Sequence, residues 1–313
     1  EKVTDYFDKR MPKFKIEALG FREKLWLYKS HLWYSFLIQD FKSCYKYSRK
    51  WVDLFYDNEA MIPLNPVFFL RGYQYLLEAL FFIKHHQKFK NVLNDFEQIT
   101  QKAWFPHDDN IDGLVFLYLY SNKINLHFME GSFTEGLPLI EKVLEGLKKH
   151  ANQIDEHHVM VFYYKIASLY FGTGDYENAI CFLSKIINNK SLQMREDLLC
   201  FSRILNLVAH YEAGIDYQLD RLIKNTYKFL IKMEDLYAVQ KEMVSFLKSL
   251  GDIYPNELKA AFRGLHQKLL TYEDHPYERR AFLYLDIISW LESKIENKST
   301  ADIIKEKFTN INI

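Results

Sequence analysis

Between residues 160 and 189 the sequence MVFYYKIASLYFGTGDYENAICFLSKIINN carries its apolar residues on a helical period. Tyr163, Ile166, Ala167 and Tyr170 stand at i, i+3, i+4 and i+7, which is one face of a helix. After GTGD, the residues Tyr176, Ala179, Leu183 and Ile186 form a second such face. The pattern predicts two antiparallel helices, with Gly172 and Gly174 supplying the turn where backbone freedom is needed. Asp175 is the expected N-cap of the second helix, with Asn178 three residues on. The small Ala167 and Ala179 allow the two helices to approach closely.

The pattern recurs along the chain. Shifted toward the N-terminus it meets Leu76, Ala79, Leu80 and Ile83, followed by Phe89, Val92, Phe96 and Ile99. A second copy has Tyr120 and Ile124, then Phe133, Gly136, Ile140 and Val143, with Lys123 and His127 departing from it. Weaker copies place Tyr28, Leu32, Phe41, Cys44 and Trp51, and then Ile204, Leu207, Val208, Tyr211 and Tyr217. A sixth pair is expected at Met243, Val244 and Leu247, then Leu258, Phe262 and Leu265, with Pro255 at a helix start.

Large, small and aromatic residues at this spacing, with a G-D-Y turn and an alanine three residues later, resemble the tetratricopeptide repeat. The turn aromatics Phe41, Phe89, Phe133, Tyr176 and Tyr217 lie 48, 44, 43 and 41 residues apart. The usual period is about 34, so longer loops or helices are expected. Long-period repeats of this kind also resemble, in spacing only, the tetratricopeptide domains of bacterial peptide-pheromone receptors. The resemblance implies an all-α, right-handed α-α superhelix, a solenoid of five to six helix pairs. One domain over 1–313 is expected, with repeats over about 20–270 and a terminal capping helix over about 277–297. Phe282, Leu285, Ile288 and Leu291 would be the inward face of that helix.

Composition agrees with long elements and few turns. Gly and Pro number 18 of 313 residues, and Phe, Tyr and Trp number 52. Lys plus Arg equal Asp plus Glu at 41 each, which argues against a dedicated nucleic-acid binder despite the many rings. Cys44, Cys181 and Cys200 are too few and scattered for a disulfide framework, so a reducing, cytoplasmic setting is expected. No apolar run reaches the length of a membrane span. The chain begins at Glu1 rather than Met, leaving room for an upstream domain.

Catalytic signatures are missing: there is no GxSxG, GxxxxGK[ST], GxGxxG or HExxH. Asp108, Asn110, Asp112 and Gly113 match half of a calcium loop, but Leu119 occupies the position of its bidentate Glu. The simpler expectation is a loop that ends with Asp112 as a helix N-cap. The pairs His85-His86 and His157-His158 point about 100° apart on a helix and read as polar-face or helix-end residues. His127, at a core aromatic position, is expected to be partly buried and hydrogen-bonded. No metal, no cofactor and no enzymatic activity are expected.

The resemblance implies that the first helix of each pair lines a concave binding face. Projected onto this chain, that face takes Trp26, Lys29 and Trp33; Gln74, Leu77 and Phe81; and Tyr118, Ser121 and Asn125. It continues with Val161, Tyr164 and Ser168, then Ser202, Leu205 and Ala209. Exposed rings beside amides and hydroxyls suit recognition of a protein or an extended peptide. The clamp by which some family members hold a C-terminal carboxylate is not reproduced, since Trp33 replaces its first asparagine. A peptide-binding scaffold is the leading expectation. The alternatives are a ligand-sensing domain that controls an upstream effector domain, and an enzyme with a helical pocket.

Overall fold

A computed structural model describes residues 2–11, 15–189, 196–232, 238–254, 256–273, 275, 278 and 286–311. The described residues are all-helical, with no strand among them, and successive helices pack against one another. The chain groups into two compact units, residues 1–126 and 127–313. The first contains α1 (Lys2–Arg10), α2 (Phe21–Leu37), α3 (Phe41–Tyr56), α4 (Pro66–Phe82) and α5 (His86–Thr100). It also contains most of α6 (Asp109–Glu130). In the second unit lie α7 (Phe133–Gly136), α8 (Pro138–Lys149), α9 (Glu156–Thr173), α10 (Tyr176–Ile187), α11 (Glu196–Glu212) and α12 (Asp216–Ile231). They are followed by α13 (Ala238–Ser249), α14 (Leu258–Leu270), α15 (Ile287–Glu296) and α16 (Thr300–Ile311).

Five turns share one construction. Two residues before α3, α5, α7, α10 and α12 a residue adopts the left-handed conformation: Gln39, Lys84, Gly131, Gly174 and Gly214, with φ of 56°, 53°, 68°, 83° and 67°. The next amide then reaches back five residues. Asp40 bonds Ser35 O, His85 bonds Leu80 O, Ser132 bonds His127 O, Asp175 bonds Tyr170 O and Ile215 bonds His210 O, all at 2.9–3.1 Å. This is the Schellman ending, which satisfies carbonyls that a terminating helix would otherwise leave bare. Three of the five left-handed residues are Gly; Gln39 and Lys84 adopt the same conformation against a steric cost of about 1 kcal/mol. Asp175 accepts from Asn178 N at 3.1 Å, the expected cap, and Asp40 does the same for Ser43 N.

The expected core faces are buried in most of the predicted pairs. Leu76, Ala79 and Leu80 pack inside with Phe89, Val92, Phe96 and Ile99, as do Ile166, Ala167, Ala179, Leu183 and Ile186. Met243, Val244, Leu247, Phe262 and Leu265 are buried in α13 and α14. His127 is half-buried, with its Nδ1 2.8 Å from Ser132 Oγ. Its departure from the aromatic pattern is matched by Gly136, where a Cβ would lie 3.1 Å from the His127 ring.

Several details differ from the sequence reading. Gly172 lies inside α9 and makes no turn; it admits the Phe133 ring, to which an added Cβ would come within 2.3 Å. Asp108, not Asp112, caps α6: its Oδ1 accepts from Ile111 N at 2.8 Å, while Asp112 in the first turn meets His107. The capping helix is shorter than 277–297. Asp286, with ψ 69°, is an N-cap accepting from Ser289 N, so a helix of ten residues starts at Ile287, and Asn297, at φ 55°, ends it. Ile288 and Leu291 are buried there as expected, and Phe282 and Leu285 lie outside the described residues. A further helix, α16, follows. Pro255 is also outside the described residues, and α14 starts at Leu258.

Candidate partner-binding face

In the first unit the side chains of α2, α4 and α6 meet in a parallel register. Trp26 on α2 packs edge-on to Phe68 on α4, with ring centres 6.0 Å apart, and Trp33, two turns on, lies beside the Tyr75 hydroxyl. From α4, the Arg71 guanidinium lies near the Tyr118 hydroxyl on α6, and Gln74 Oε1 accepts from Asn122 Nδ2 at 2.8 Å. Residue numbers rise together across both junctions, so the three helices run in the same direction. Trp51 on α3 supports the layer from below. Its indole donates to Phe68 O at 3.1 Å, and Gly72 clears its ring, since a Cβ there would sit 2.8 Å from Trp51 Cδ1.

Two indoles remain largely in solvent: Trp26 is 51 % and Trp33 53 % exposed. Lys29 lies between them along α2, its ammonium 4.4 Å from the Trp26 ring centre and 5.9 Å from that of Phe68. Arg71 is exposed on the neighbouring helix. Burial pushes the Tyr75 phenol up, Glu78 adds to the shift and Arg71 opposes it. Burial also raises Tyr118, against the charge of Arg71. Both phenols are therefore neutral at pH 7 and act as hydrogen-bonding groups, not as proton carriers. The arrangement offers flat apolar surface, two cations and amides held in place by one another.

The expected site residues divide unequally. Trp26, Lys29, Trp33, Gln74 and Tyr118 are brought together on this layer. Ser121 is half-buried beside it on α6. Phe81 turns toward α5, its ring 6.4 Å from Phe89. Leu77 is fully buried, and Asn125 is buried against Asn122 Oδ1 at 3.3 Å. Phe68, Arg71, Tyr75 and Asn122 complete the layer and were not singled out from sequence. Arg71 lies one turn before Gln74, and Asn122 one turn after Tyr118; that helical spacing was the available signal.

The positions projected in the second unit form no open face. Tyr164 is 5 % exposed, Ser202, Leu205 and Ala209 are fully buried, and Val161 and Ser168 are half-buried. The α11 stripe of Ser202, Leu205 and Ala209 continues to Glu212, which receives Trp290 Nε1 at 2.6 Å and Lys294 Nζ at 2.5 Å from α15. α16 packs on α9 and against the turn before α7, where a Cβ on Gly131 would sit 2.8 Å from Ala301 O. Neighbouring helices of the same unit, α10, α12 and α13 above all, pack against α9 and α11, and Tyr164, Ser168 and Ser202 are set aside as partner contacts.

Among the described residues no three His, Cys, Asp or Glu side chains converge as a metal-ligand set. No helix among them is long and apolar enough to cross a membrane. No protein-family model matches the sequence, and no curated protein matches it.

Proposed function

We propose that the chain is a non-enzymatic protein- or peptide-binding scaffold of tetratricopeptide type, working in the cytoplasm, whose helix pairs wind as a right-handed solenoid. The five identical Schellman turns support the repeat reading. The observation that carries the binding reading is the pair of exposed indoles, Trp26 and Trp33, fixed by Phe68 and Tyr75 with Lys29 between them. Tryptophan on rigid helices loses little conformational freedom when a partner covers it and is enriched among residues that dominate binding energy. The partner contacts are Trp26, Lys29, Trp33, Arg71 and Gln74, with Tyr118 and Asn122 as the groups that hold them in place.

The test is a random peptide library displayed on phage and selected on the full chain. Selected peptides should bind the parent and lose at least tenfold in affinity to a Trp26→Ser, Trp33→Ser variant of unchanged helical content. Peptides that bind both proteins equally would remove this face as the site.

A further inference from the structure

The exposed residues of α2 have a stricter order than a general binding face requires. Trp26, Ser30, Trp33 and Leu37 follow one another at steps of four, three and four, and all four are exposed, Leu37 most of all at 69 %. Alternating steps of four and three are the a/d spacing of a helix that packs along another helix. Over these residues the seam extends about 16 Å, three helical turns. α1 leaves the seam open, since Phe7 stacks on Tyr34 and meets His31 edge-on, on a different side of α2.

The seam has a charged border. With Trp26 and Trp33 at d, Arg22 and Lys29 fall seven residues apart at g, and Arg71 of α4 adds a third cation on the side where Phe68 and Tyr75 meet the indoles. The acidic residue nearest the seam on α2, Glu23, is turned to the helix start, where its Oε2 accepts from Gly20 N at 2.7 Å. Glu78 of α4 lies beyond, near Tyr75. Flanking charges set partner choice in helix pairing, so this border selects an acidic flank. A second copy of the chain would bring the same cations to the seam and be repelled.

Resting on the scaffold reading above, we infer that α2 is a docking rail for an amphipathic helix of a partner protein. That helix carries apolar residues at a/d spacing and Asp or Glu along its flank. It covers Trp26, Trp33 and Leu37, and its carboxylates face Arg22, Lys29 and Arg71.

Two labelled 21-residue peptides provide the test, both with Leu at a and d, one with Glu and the other with Lys at e and g. Fluorescence anisotropy with the full chain at low salt should show the Glu peptide binding at least tenfold tighter than the Lys peptide. Arg22→Glu with Lys29→Glu should reverse that order, and Leu37→Ser, a change at an exposed site that keeps the fold, should weaken both peptides. Equal binding of the two peptides, no binding of either, or an order that survives the charge reversal would overturn the inference. Concentration-dependent dimerisation that Leu37→Ser abolishes would also overturn it, in favour of a second copy. The scaffold reading is separable. If phage-selected ligands depend on Trp26 and Trp33 while the Glu peptide fails, only the helix inference falls; if selected ligands ignore both indoles, the scaffold reading falls with it.

Discussion

Gly172 and Gly264 both sit inside helices, yet replacing each by Ala should have opposite effects. Away from packing constraints the exchange favours a helix by up to about 1 kcal/mol, because Ala has less backbone freedom to lose. Gly264 in α14 meets that condition: a Cβ there finds nothing within 4 Å. Gly172→Ala should therefore show the same gain opposed by a collision, since its Cβ would lie 2.3, 2.3 and 2.6 Å from three carbons of the Phe133 ring. Ordinary contact begins near 3.5 Å, so the ring or α9 has to shift by about an ångström. Overpacking on that scale costs about 1–3 kcal/mol, and the net expectation is a loss of up to about 2 kcal/mol for Gly172→Ala. The assay is urea unfolding followed by circular dichroism at 222 nm, on both variants and on Gly172→Ala combined with Phe133→Leu. The smaller, flexible leucine side chain should recover part of the loss, giving a coupling of about 1 kcal/mol between the two sites. A Gly172→Ala chain as stable as Gly264→Ala, or a double variant whose losses simply add, would refute the proposed contact between α9 and Phe133.

Other expectations concern turns, titration and thiols. Lys84→Gly should stabilise by about 1 kcal/mol, since Lys84 holds φ 53° against a steric cost, and Gly174→Ala should destabilise by a similar amount, both read from urea midpoints. His31 stacks on Tyr47 and meets Phe7 edge-on, and burial, with Lys46 and Lys50, lowers its pKa below the usual histidine value. The unfolded chain therefore binds this proton more readily, and stability falls as pH drops below about 6.5. His31→Phe should keep the stacking and flatten that part of a melting-temperature profile between pH 7 and 5. Burial pushes the Cys44 thiol up to about 12 and Cys200 is also buried, so Ellman's reagent should modify Cys181 at once and the other two only in denaturant. Glu212→Ala should cost about 2–3 kcal/mol by stripping Trp290 and Lys294 of their shared acceptor, with hydrogen exchange of α15 rising in step.

The helices were legible because periodic apolar residues repeat a physical requirement, burial of one face, at every turn. The hairpin between α9 and α10 was legible through Gly174, but those at Gln39 and Lys84 were not, because their side chains give no hint of a left-handed backbone. Gly172 misled for the opposite reason: a glycine beside a turn looks like part of it, and only the Phe133 ring reveals its purpose. The candidate face was half visible. Trp26, Lys29, Trp33, Gln74 and Tyr118 follow from counting along first helices, whereas Arg71 and Tyr75 join them through contacts made across helices 42–47 residues away in sequence. The same counting failed in the second unit, because it cannot say that α11 is packed by α10, α12 and α13 and that α16 comes back against α9.

The central claim is that binding energy resides in the exposed indoles of α2. It is tested by the dissociation constant of one phage-selected peptide for the parent chain and for Trp33→Ser, at matched helical content. Loss of a binding residue worth about 2 kcal/mol corresponds to roughly thirtyfold weaker affinity, which is the ratio expected. A ratio near one for every selected peptide would contradict the account.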